Sequence, residues 1–428
     1  MPAFLRALNS RNYRLYFIGQ LISLAGTWMQ QIAMAWLAYR LSNSAFVLGA
    51  VGFASQIPIL LFAGFAGVWT DRFDRRRLLL LTQSLAMVQA LILAALAGFH
   101  WITPGLLIVM AFLLGCINAL DVPARQAIAV QLVDDKADLP NAIALNSFLM
   151  NAARFVGPAL AGFLVALIGE AVCFLLNALS YLAVLLALRA IRLPLHRSGT
   201  TPALDALKEG IRYVRDHRPI RRSLLLVASV SFLATPYAVM MPLFAREIFG
   251  GDARTFGLLI GCAGAGSLLA SFYLASRKDV AGLGRHVGLA APAVGVALAL
   301  FALSPSLAVA FPILMVLGFS VIVTIAGSNT LIQTRVDNAY RGRVMAIFSM
   351  AFLGIAPLGS LMVGSIVHQV GIRPTLVGCG LLTLVAGLAY RHLPRRYRTE
   401  TSGTEKPVDP AAHQDQMGEQ SGSQQYRP

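Results

Sequence analysis

The sequence is short of charged residues and of closely spaced cysteines. Charged side chains make up 13% of its 428 residues, whereas roughly 25% is usual for a soluble domain. Its four cysteines lie far apart in apolar stretches, so they indicate neither a disulfide framework nor a metal site. They are Cys116, Cys173, Cys262 and Cys379. Because 57% of the residues are hydrophobic, the composition excludes an ordinary soluble protein.

Nucleotide-binding and catalytic patterns are also missing. The sequence contains no G-x-x-x-x-G-K-[ST] loop, which disfavours transport driven by ATP. A membrane-embedded enzyme would need a cluster of His, Cys or acidic residues at one depth, and the apolar segments contain none. The polar stretches are too short to form the folded domain of a membrane sensor. We therefore expect neither an enzyme nor a bound cofactor or metal.

Long apolar segments, by contrast, are abundant. Twelve of them approach the length of ~20 residues that spans a bilayer as a helix. They cover approximately residues 15–40, 46–69, 78–99, 104–126, 140–168, 170–190, 223–249, 255–276, 286–304, 307–333, 343–369 and 371–392. The first segment is too long for a cleaved signal peptide. The sequence thus predicts an all-α membrane protein.

The distribution of Lys and Arg predicts the orientation in the membrane. The net charge of +16 is divided among short basic bursts between the apolar segments, and no single patch suits nucleic acid. If the N-terminus is cytoplasmic, 30 of the 35 Lys and Arg residues fall on the cytoplasmic side. Four fall outside and Arg154 lies within a segment. Such an asymmetry predicts that both termini are cytoplasmic.

A polar linker divides the segments into two groups of six. We expect a cytoplasmic amphipathic lead, a first six-helix bundle, a cytoplasmic linker, a second six-helix bundle and a disordered cytoplasmic tail. Their respective ranges are 1–14, 15–190, 191–222, 223–392 and 393–428. Within the linker, residues 202–217 have the apolar spacing of an amphipathic helix. The tail is rich in Gln, Gly, Ser and Glu, a composition typical of disorder.

The elbow between the second and third segments carries the most distinctive motif, G-V-W-T-D-R-F-D-R-R-R over residues 67–77. It resembles the G-x-x-x-D-R-x-G-R-R loop between helices 2 and 3 of the major facilitator superfamily. The matching positions are Gly67, Asp71, Arg72, Arg75 and Arg76, while Asp74 replaces the second glycine. A carboxylate here can face the N-terminus of a neighbouring helix, and the arginines can pair with carboxylates or lipid phosphates. We predict a gating role, although a plain basic elbow would have a similar composition.

The fifth segment resembles the G-x-x-x-G-P-x-x-G-G motif of antiporters in the same superfamily. Gly157, Pro158 and Gly162 match it, and alanines replace two other glycines. A Gly-Pro pair bends a helix and frees a carbonyl group, while small residues permit close packing. The motif is interpreted as a hinge associated with export; the alternative is a packing kink.

Two charged residues within the apolar segments are candidates for function. Arg154 lies near mid-membrane, where its charge needs water or a partner. It can belong to a substrate or coupling site, or it can form a structural pair, and the sequence favours neither role. Asp121 lies near the cytoplasmic end of the fourth segment. The resemblance implies that Asp121 pairs with Arg75 and closes an inner gate, with Arg125 at i+4 as a competing partner. We favour a gating role for Asp121 and Arg125 over direct proton transfer.

In the superfamily, helices one, four, seven and ten line the transport cavity. Their polar residues in this sequence are further candidates for substrate binding or coupling: Gln20, Thr27, Gln31, Asn118, Tyr237 and Asn329. The second group of segments contains no buried acid. Most of these polar residues are expected to serve in helix packing and a minority in the pocket.

Taken together, the motifs resemble the branch of the superfamily that contains the enterobactin exporter. The resemblance implies twelve transmembrane helices in two pseudo-symmetric six-helix bundles. It places the protein in the inner membrane of the cell and implies transport by alternating access. It also implies export of a small amphipathic molecule, such as a siderophore, drug or metabolite, by proton antiport. An importer or a lysolipid or lipid flippase of the same fold is the alternative. The expected partners are the substrate, protons and membrane lipids, and we expect a monomer.

Overall fold

The computed structural model of the chain describes residues 3–72, 74–129, 132, 138–191, 203–277 and 279–392. Met1–Arg391 belong to one compact unit, and a second unit, His392–Pro428, falls almost entirely outside the described residues. All regular secondary structure in the described part is helical. Below, the described residues before 192 are called the first half, and those after 202 the second half.

The first half begins with a 3₁₀ helix, Ala3–Asn9. Five α-helices follow: α1 (Arg11–Ser42), α2 (Ala45–Arg72), α3 (Arg75–Gly98), α4 (Pro104–Ala129) and α5 (Leu139–Ala190). The second half contains α6 (Ala203–Asp216), α7 (Arg218–Leu233), α8 (Ala253–Ala275), α9 (Leu283–Ala302), α10 (Leu307–Arg335), α11 (Arg341–Ser349), α12 (Ile355–Val370) and α13 (Ile372–His392).

Two helices of the second half continue through irregular turns. After α7, the chain forms a 3₁₀ turn at Thr235–Ala238, a helical turn at Met241–Leu243 and a π turn at Phe244–Ile248. A second π turn, Met350–Gly354, connects α11 with α12. Helix α7 and the turns after it form one candidate membrane span. Helices α11 and α12, with the π turn between them, form another.

Ten helical stretches among the described residues are long and apolar enough to cross a membrane, against the twelve segments predicted. One difference is α1, whose 32 residues include Gln20, Gln30 and Gln31, which lower its mean hydropathy. The other is α5, in which the predicted fifth and sixth segments form one stretch, Phe155–Ala190. The first difference concerns the hydropathy of one helix and the second concerns how two spans are divided; the all-α membrane fold is confirmed.

The reversal inside α5 depends on one glycine. Gly169 has φ 79° and ψ 167°, a conformation that residues with a Cβ rarely adopt. The next residue, Glu170, is buried and its carboxylate accepts a bond from Arg40 Nη2 at 3.1 Å. This ion pair joins the turn in α5 to the last helical turn of α1. We call this side of the protein the α1–α2 end.

The two halves approach closely at the α1–α2 end. A Cβ built on Gly49 of α2 would lie 3.2 Å from Gly364 Cα of α12. Similarly, a Cβ built on Gly162 of α5 would lie 2.8 Å from Gly257 Cα of α8. Because a methyl group at any of these positions would be crowded by the facing backbone, small residues are needed for this packing.

Side chains reinforce the contact between the halves near the same end. The Tyr39 hydroxyl donates to Glu247 Oε1 at 2.7 Å, and Trp36 stacks on Phe256 with 6.4 Å between ring centroids. The guanidinium carbon of Arg254 lies 4.9 Å from the centroid of the Phe163 ring. These contacts and the glycine pairs define what we call the seal.

Helix α6 packs against the region where α10 ends and α11 begins. The Tyr213 hydroxyl donates to Asp337 Oδ2 at 3.0 Å and accepts from the Asp337 backbone N–H at 3.2 Å. Its ring stacks on Tyr340 at 4.5 Å, and Glu209 pairs with Arg343 at 2.6 Å. The helix occupies the stretch for which the sequence predicts an amphipathic helix, and it is held by both polar and aromatic contacts.

Candidate functional site

Every buried Gln, Asn, Asp and Glu among the described residues lies in the first half. Seven of the buried polar residues of this half are Gln20, Gln30, Thr82, Gln83, Gln89, Asp121 and Asn177. Burying a polar group costs free energy unless it finds a hydrogen-bond partner, and in membrane proteins such groups are functional candidates. They form two adjacent clusters.

The first cluster surrounds the carboxylate of Asp121, which is 1% exposed. Thr82 Oγ1 and Gln83 Nε2 of α3 each donate to Asp121 Oδ1 at 2.7 Å. Arg125, one turn further along α4, donates from Nη2 to Asp121 Oδ2. Donors on two helices therefore bond to this carboxylate.

Arg125 also connects α4 to α1. Its Nη1 donates to Gln20 Oε1 at 3.3 Å, and the Tyr16 hydroxyl donates to the Arg125 backbone carbonyl at 3.5 Å. The third guanidinium nitrogen, Arg125 Nε, is buried and has no hydrogen-bond partner among the described residues. The Asp121–Arg125 pair is thus held by three helices, and one nitrogen of the guanidinium is left without a partner.

The second cluster lies deeper along α1 and consists of side-chain amides. Gln30 Nε2 donates to Gln89 Oε1 at 2.9 Å, and Asn177 Nδ2 donates to Gln30 Oε1 at 2.6 Å. Gln89 Nε2 donates to the Met110 carbonyl at 3.1 Å. These bonds connect α1, α3, α4 and the second part of α5.

A cavity of about 40 Å³ separates the two clusters. It is lined by Ser23, Thr27, Gln30, Gln31, Gln83, Ala86, Leu114, Ile117, Asn118, Asp121, Arg125, Asn177 and Tyr181. A site for one water needs ~10–15 Å³ and two to four polar partners, so the cavity has room for about three waters. Two buried atoms without partners belong to its lining residues, Gln83 Oε1 and Arg125 Nε.

This cavity brings together five residues singled out in the sequence. Thr27, Gln31, Asn118, Asp121 and Arg125 line it, and a sixth, Gln20, bonds to Arg125. The two candidates in the second half lie elsewhere. Tyr237 is buried in the 3₁₀ turn after α7, and Asn329 Oδ1 accepts from Gln333 Nε2 at 2.7 Å.

The structure holds the Asp121 carboxylate through partners other than the predicted Arg75. Asp121 bonds to Thr82, seven residues along α3 from Arg75, which corresponds to ~10 Å at 1.5 Å per residue. The local partner Arg125 occupies Oδ2 instead. An i,i+4 pair on one helix needs no approach of a second element, which explains why it forms.

Part of the elbow motif lies outside the described side chains: Gly67, Asp71 and Arg72. Arg75 is the first residue of α3. Arg76 donates from Nε to the Leu188 carbonyl at 2.7 Å and from Nη2 to the Arg189 carbonyl at 2.8 Å. Because the C-terminal carbonyls of a helix are partly negative, Arg76 ties α3 to the end of α5.

The hinge candidates occupy crowded positions in α5. A Cβ on Gly157 would lie 2.6 Å from Trp28 Cγ of α1, and Pro158 is buried inside the helix. Gly162 faces Gly257 in the seal. The side chain of Arg154 lies outside the described residues, so its role stays a prediction.

These clusters include residues that were not singled out in the sequence, among them Thr82, Gln83, Gln89 and Asn177. Their signal was present, because an amide inside a 20-residue apolar run is costly and needs a partner. The sequence did not indicate which amides face one another. The spacing of residues along one helix does not define how that helix is rotated relative to its neighbour.

Comparisons with known proteins cover nearly the whole chain. A family model described as a transmembrane secretion effector matches residues 3–422. The staphyloferrin A transporter of Staphylococcus aureus is 29% identical over 392 residues, covering 90% of this chain and 96% of that protein. The multidrug efflux pump Tap of Mycobacterium tuberculosis is 26% identical over 403 residues, covering 89% and 93%.

Solved transporter structures share the fold. The nucleoside transporter NupG aligns with a TM-score of 0.66 at 16% identity, covering 89% of this chain and 98% of that chain. A bacterial homologue of the iron transporter ferroportin, in an inward-facing state, gives a TM-score of 0.67 at 16% identity, covering 90% and 99%. The matches extend over both halves of the protein.

Proposed function

Because the chain belongs to the transmembrane secretion effector family of the major facilitator superfamily, we propose that it exports a small amphipathic molecule by proton antiport. Membership of this family makes it a membrane transporter and not an enzyme. Its substrate is a siderophore, drug or metabolite, and its location is the inner membrane. Support for export comes from the relatives, of which one is a siderophore transporter and several are efflux pumps.

The orientation proposed from the basic residues makes the α1–α2 end the outer side. Both termini are then cytoplasmic, and the arginines at the start of α3 and on α6 and α7 face the cytoplasm. The outer side retains Arg40, whose charge is offset by Glu170. Substrate would enter from the cytoplasm and leave at this end.

Alternating access is supported by how the halves meet in the seal. Glycine backbones in direct contact interlock no side chains, so they can separate and meet again without repacking a core. The hydrogen bond from Tyr39 to Glu247 and the stacking of Trp36 on Phe256 join α1 to the second half. Opening the seal would break these contacts and expose the transport path to the outside.

The observation that carries the proton coupling is the buried Asp121–Arg125 pair. A charge in a membrane interior costs at least ~2.5 kcal/mol on insertion scales, so an acid retained there needs a compensating role. The sequence contains no phosphate-binding loop that would supply ATP as an alternative energy source. The Gly157-Pro158 motif, which is similar to that of antiporters, also supports proton antiport.

The test is uptake into everted membrane vesicles, in which export appears as accumulation. Vesicles with the protein and vesicles without it are offered staphyloferrin A, a macrolide and ethidium, with and without an uncoupler. We expect at least one of these compounds to accumulate, and the uncoupler to abolish the accumulation. Uptake only into right-side-out vesicles would indicate an importer, and movement of labelled phospholipid alone would indicate a flippase.

A further inference from the structure

We propose that Asp121 is the group that binds the coupling proton, and that it does so in a hydrated cavity inside the first half, separate from the boundary between the halves. This inference rests on the proposed proton antiport and replaces the gating latch expected for Asp121. The ligand of the site is a proton together with two or three waters.

The hydrogen-bond geometry describes the site in its proton-free state. Thr82, Gln83 and Arg125 all act as donors toward the Asp121 oxygens, which suits a carboxylate that only accepts. The other titratable groups around Asp121 are Tyr16 on α1 and Tyr181 on α5. Arg125 supplies the positive charge that offsets the carboxylate in this state.

Proton binding would change the partners of Arg125. A proton added to Asp121 Oδ2 makes this oxygen a donor and removes the negative charge, so the bond from Arg125 Nη2 is weakened while Arg125 keeps its own proton. The guanidinium then needs new acceptors, and two lie within the site: Gln20 Oε1, already at 3.3 Å, and Gln83 Oε1, which has no partner. The step transfers one proton from a hydronium ion in the cavity to the carboxylate and leaves one water molecule; no other covalent bond forms or breaks.

The orphan atoms are the observation that points to water. Gln83 uses Nε2 to hold Asp121 and leaves Oε1 unpaired, while Arg125 uses both terminal nitrogens and leaves Nε unpaired. These two atoms belong to residues that line one polar cavity of about 40 Å³, which makes it a site for bridging waters. Water there also gives the proton a path to Asp121 past Gln31 and Asn118, which line the same cavity.

Helix α1 can pass the change on to the seal. It contacts Arg125 through Gln20, and its other end carries Trp36 and Tyr39, which touch the second half. A shift of α1 caused by the new position of Arg125 would therefore act on contacts that hold the outer side closed. This arrangement would couple proton binding to access without placing the proton in the substrate path.

The test is infrared difference spectroscopy of the purified protein in lipid nanodiscs across a pH titration. A protonated carboxylic acid has its own C=O stretching band. We expect one component of this band at low pH to come from Asp121, and we expect Asp121→Asn to remove that component. Retention of the full band in Asp121→Asn would overturn the assignment.

Two glutamines of α3 provide a matched pair of variants. Gln83→Met removes a cavity residue that bonds Asp121, whereas Gln89→Met removes an equally buried residue that bonds Gln30 and Met110. Gln83→Met should shift the carboxyl band and slow its hydrogen–deuterium exchange, and Gln89→Met should leave the band in place. Equal effects of the two variants would overturn the role of the cavity. Because the band needs no substrate, its presence alongside uncoupler-insensitive export would leave this site standing while the proposed antiport fails.

A high-resolution structure in nanodiscs tests the waters directly. Density within hydrogen-bond distance of both Gln83 Oε1 and Arg125 Nε is the expected result, and its loss in Gln83→Met is the expected control. A well-ordered but dry cavity would overturn the hydrated site, whatever the outcome of the transport assays.

Discussion

Gly162 of α5 and Gly257 of α8 lie back to back across the boundary between the halves. A Cβ on Gly257 would lie 2.9 Å from Gly162 Cα and 2.6 Å from the Pro158 carbonyl oxygen. On the other side of the boundary, a Cβ on Gly364 would lie 3.0 Å from Gly49 Cα. Two helix pairs, α5 with α8 and α2 with α12, thus join one half to the other, and each pair needs glycine for its close backbone contact.

The first prediction is that added side chains at these glycines hold the seal apart. Gly257→Val or Gly364→Val should lower transport strongly while the protein still inserts, because the facing backbone leaves no space for the new side chain. Spin labels on the ends of α2 and α12 should report a longer distance. The control is Gly378→Ala in α13, where a Cβ meets no atom within 4 Å; it should keep transport and gain up to about 1 kcal/mol of helix stability.

The second prediction concerns Gly157 and Trp28. A methyl group at Gly157 would lie 2.6 Å from Trp28 Cγ, so Gly157→Ala should displace the indole and change its fluorescence. The double variant Gly157→Ala, Trp28→Leu should recover part of the lost activity, because the smaller side chain leaves space. If the single variant has normal fluorescence and transport, α5 and α1 are packed less closely than the structure indicates.

The third prediction concerns the elbow. Asp71→Asn and Arg75→Ala should each reduce transport severely at near-normal abundance, because both positions match the gating motif at the proposed cytoplasmic end. The matched control is Arg77→Ala, on the exposed side of the first turn of α3, which should have a small effect. Normal transport by Asp71→Asn at normal abundance would rule out the gating role.

The fourth prediction uses the docking of α6. Burial raises the pKa of Tyr213 above its ordinary value of 10.0, so the docked state favours the neutral phenol. Neutral Tyr213 therefore contributes fully to the stability of docked α6 below pH 10.0. This contribution falls as the pH rises above that value. Relative to the intrinsic, base-catalysed exchange rate, the protection of the α6 amides should fall above this pH in the wild type, and Tyr213→Phe should remove most of this fall. The same loss of protection in both proteins would assign it to another group.

The sequence predicted the helical fold because long apolar runs and the asymmetry of basic residues are local signals. It also predicted that Gly157 and Gly162 lie where helices pack closely. The count of ten apolar stretches leaves out α1, although its Gln30 is paired inside the fold with Gln89 and Asn177. A hydropathy scale has no means of recording such a partner.

The candidate site was predicted in part for a similar reason. The residues expected to line a pocket on α1 and α4 do meet, since each follows the helical repeat of its own segment. For Asp121, the superfamily pattern suggested Arg75, with Arg125 as the competing partner; the structure holds the carboxylate through Arg125 together with Thr82 and Gln83. Rotation of α3 about its axis decides which of its residues face α4, and that rotation is set by packing across the whole first half.

The central claim is that a proton gradient drives outward transport. Purified protein in liposomes, with the membrane potential clamped, is offered a compound that accumulates in everted vesicles, and an acidic lumen is then imposed. We predict that accumulation rises with the size of the pH gradient, that the lumen becomes less acidic as the compound enters, and that both effects are lost in Asp121→Asn. Equal accumulation with and without the pH gradient, in the absence of any other ion gradient, would contradict the account.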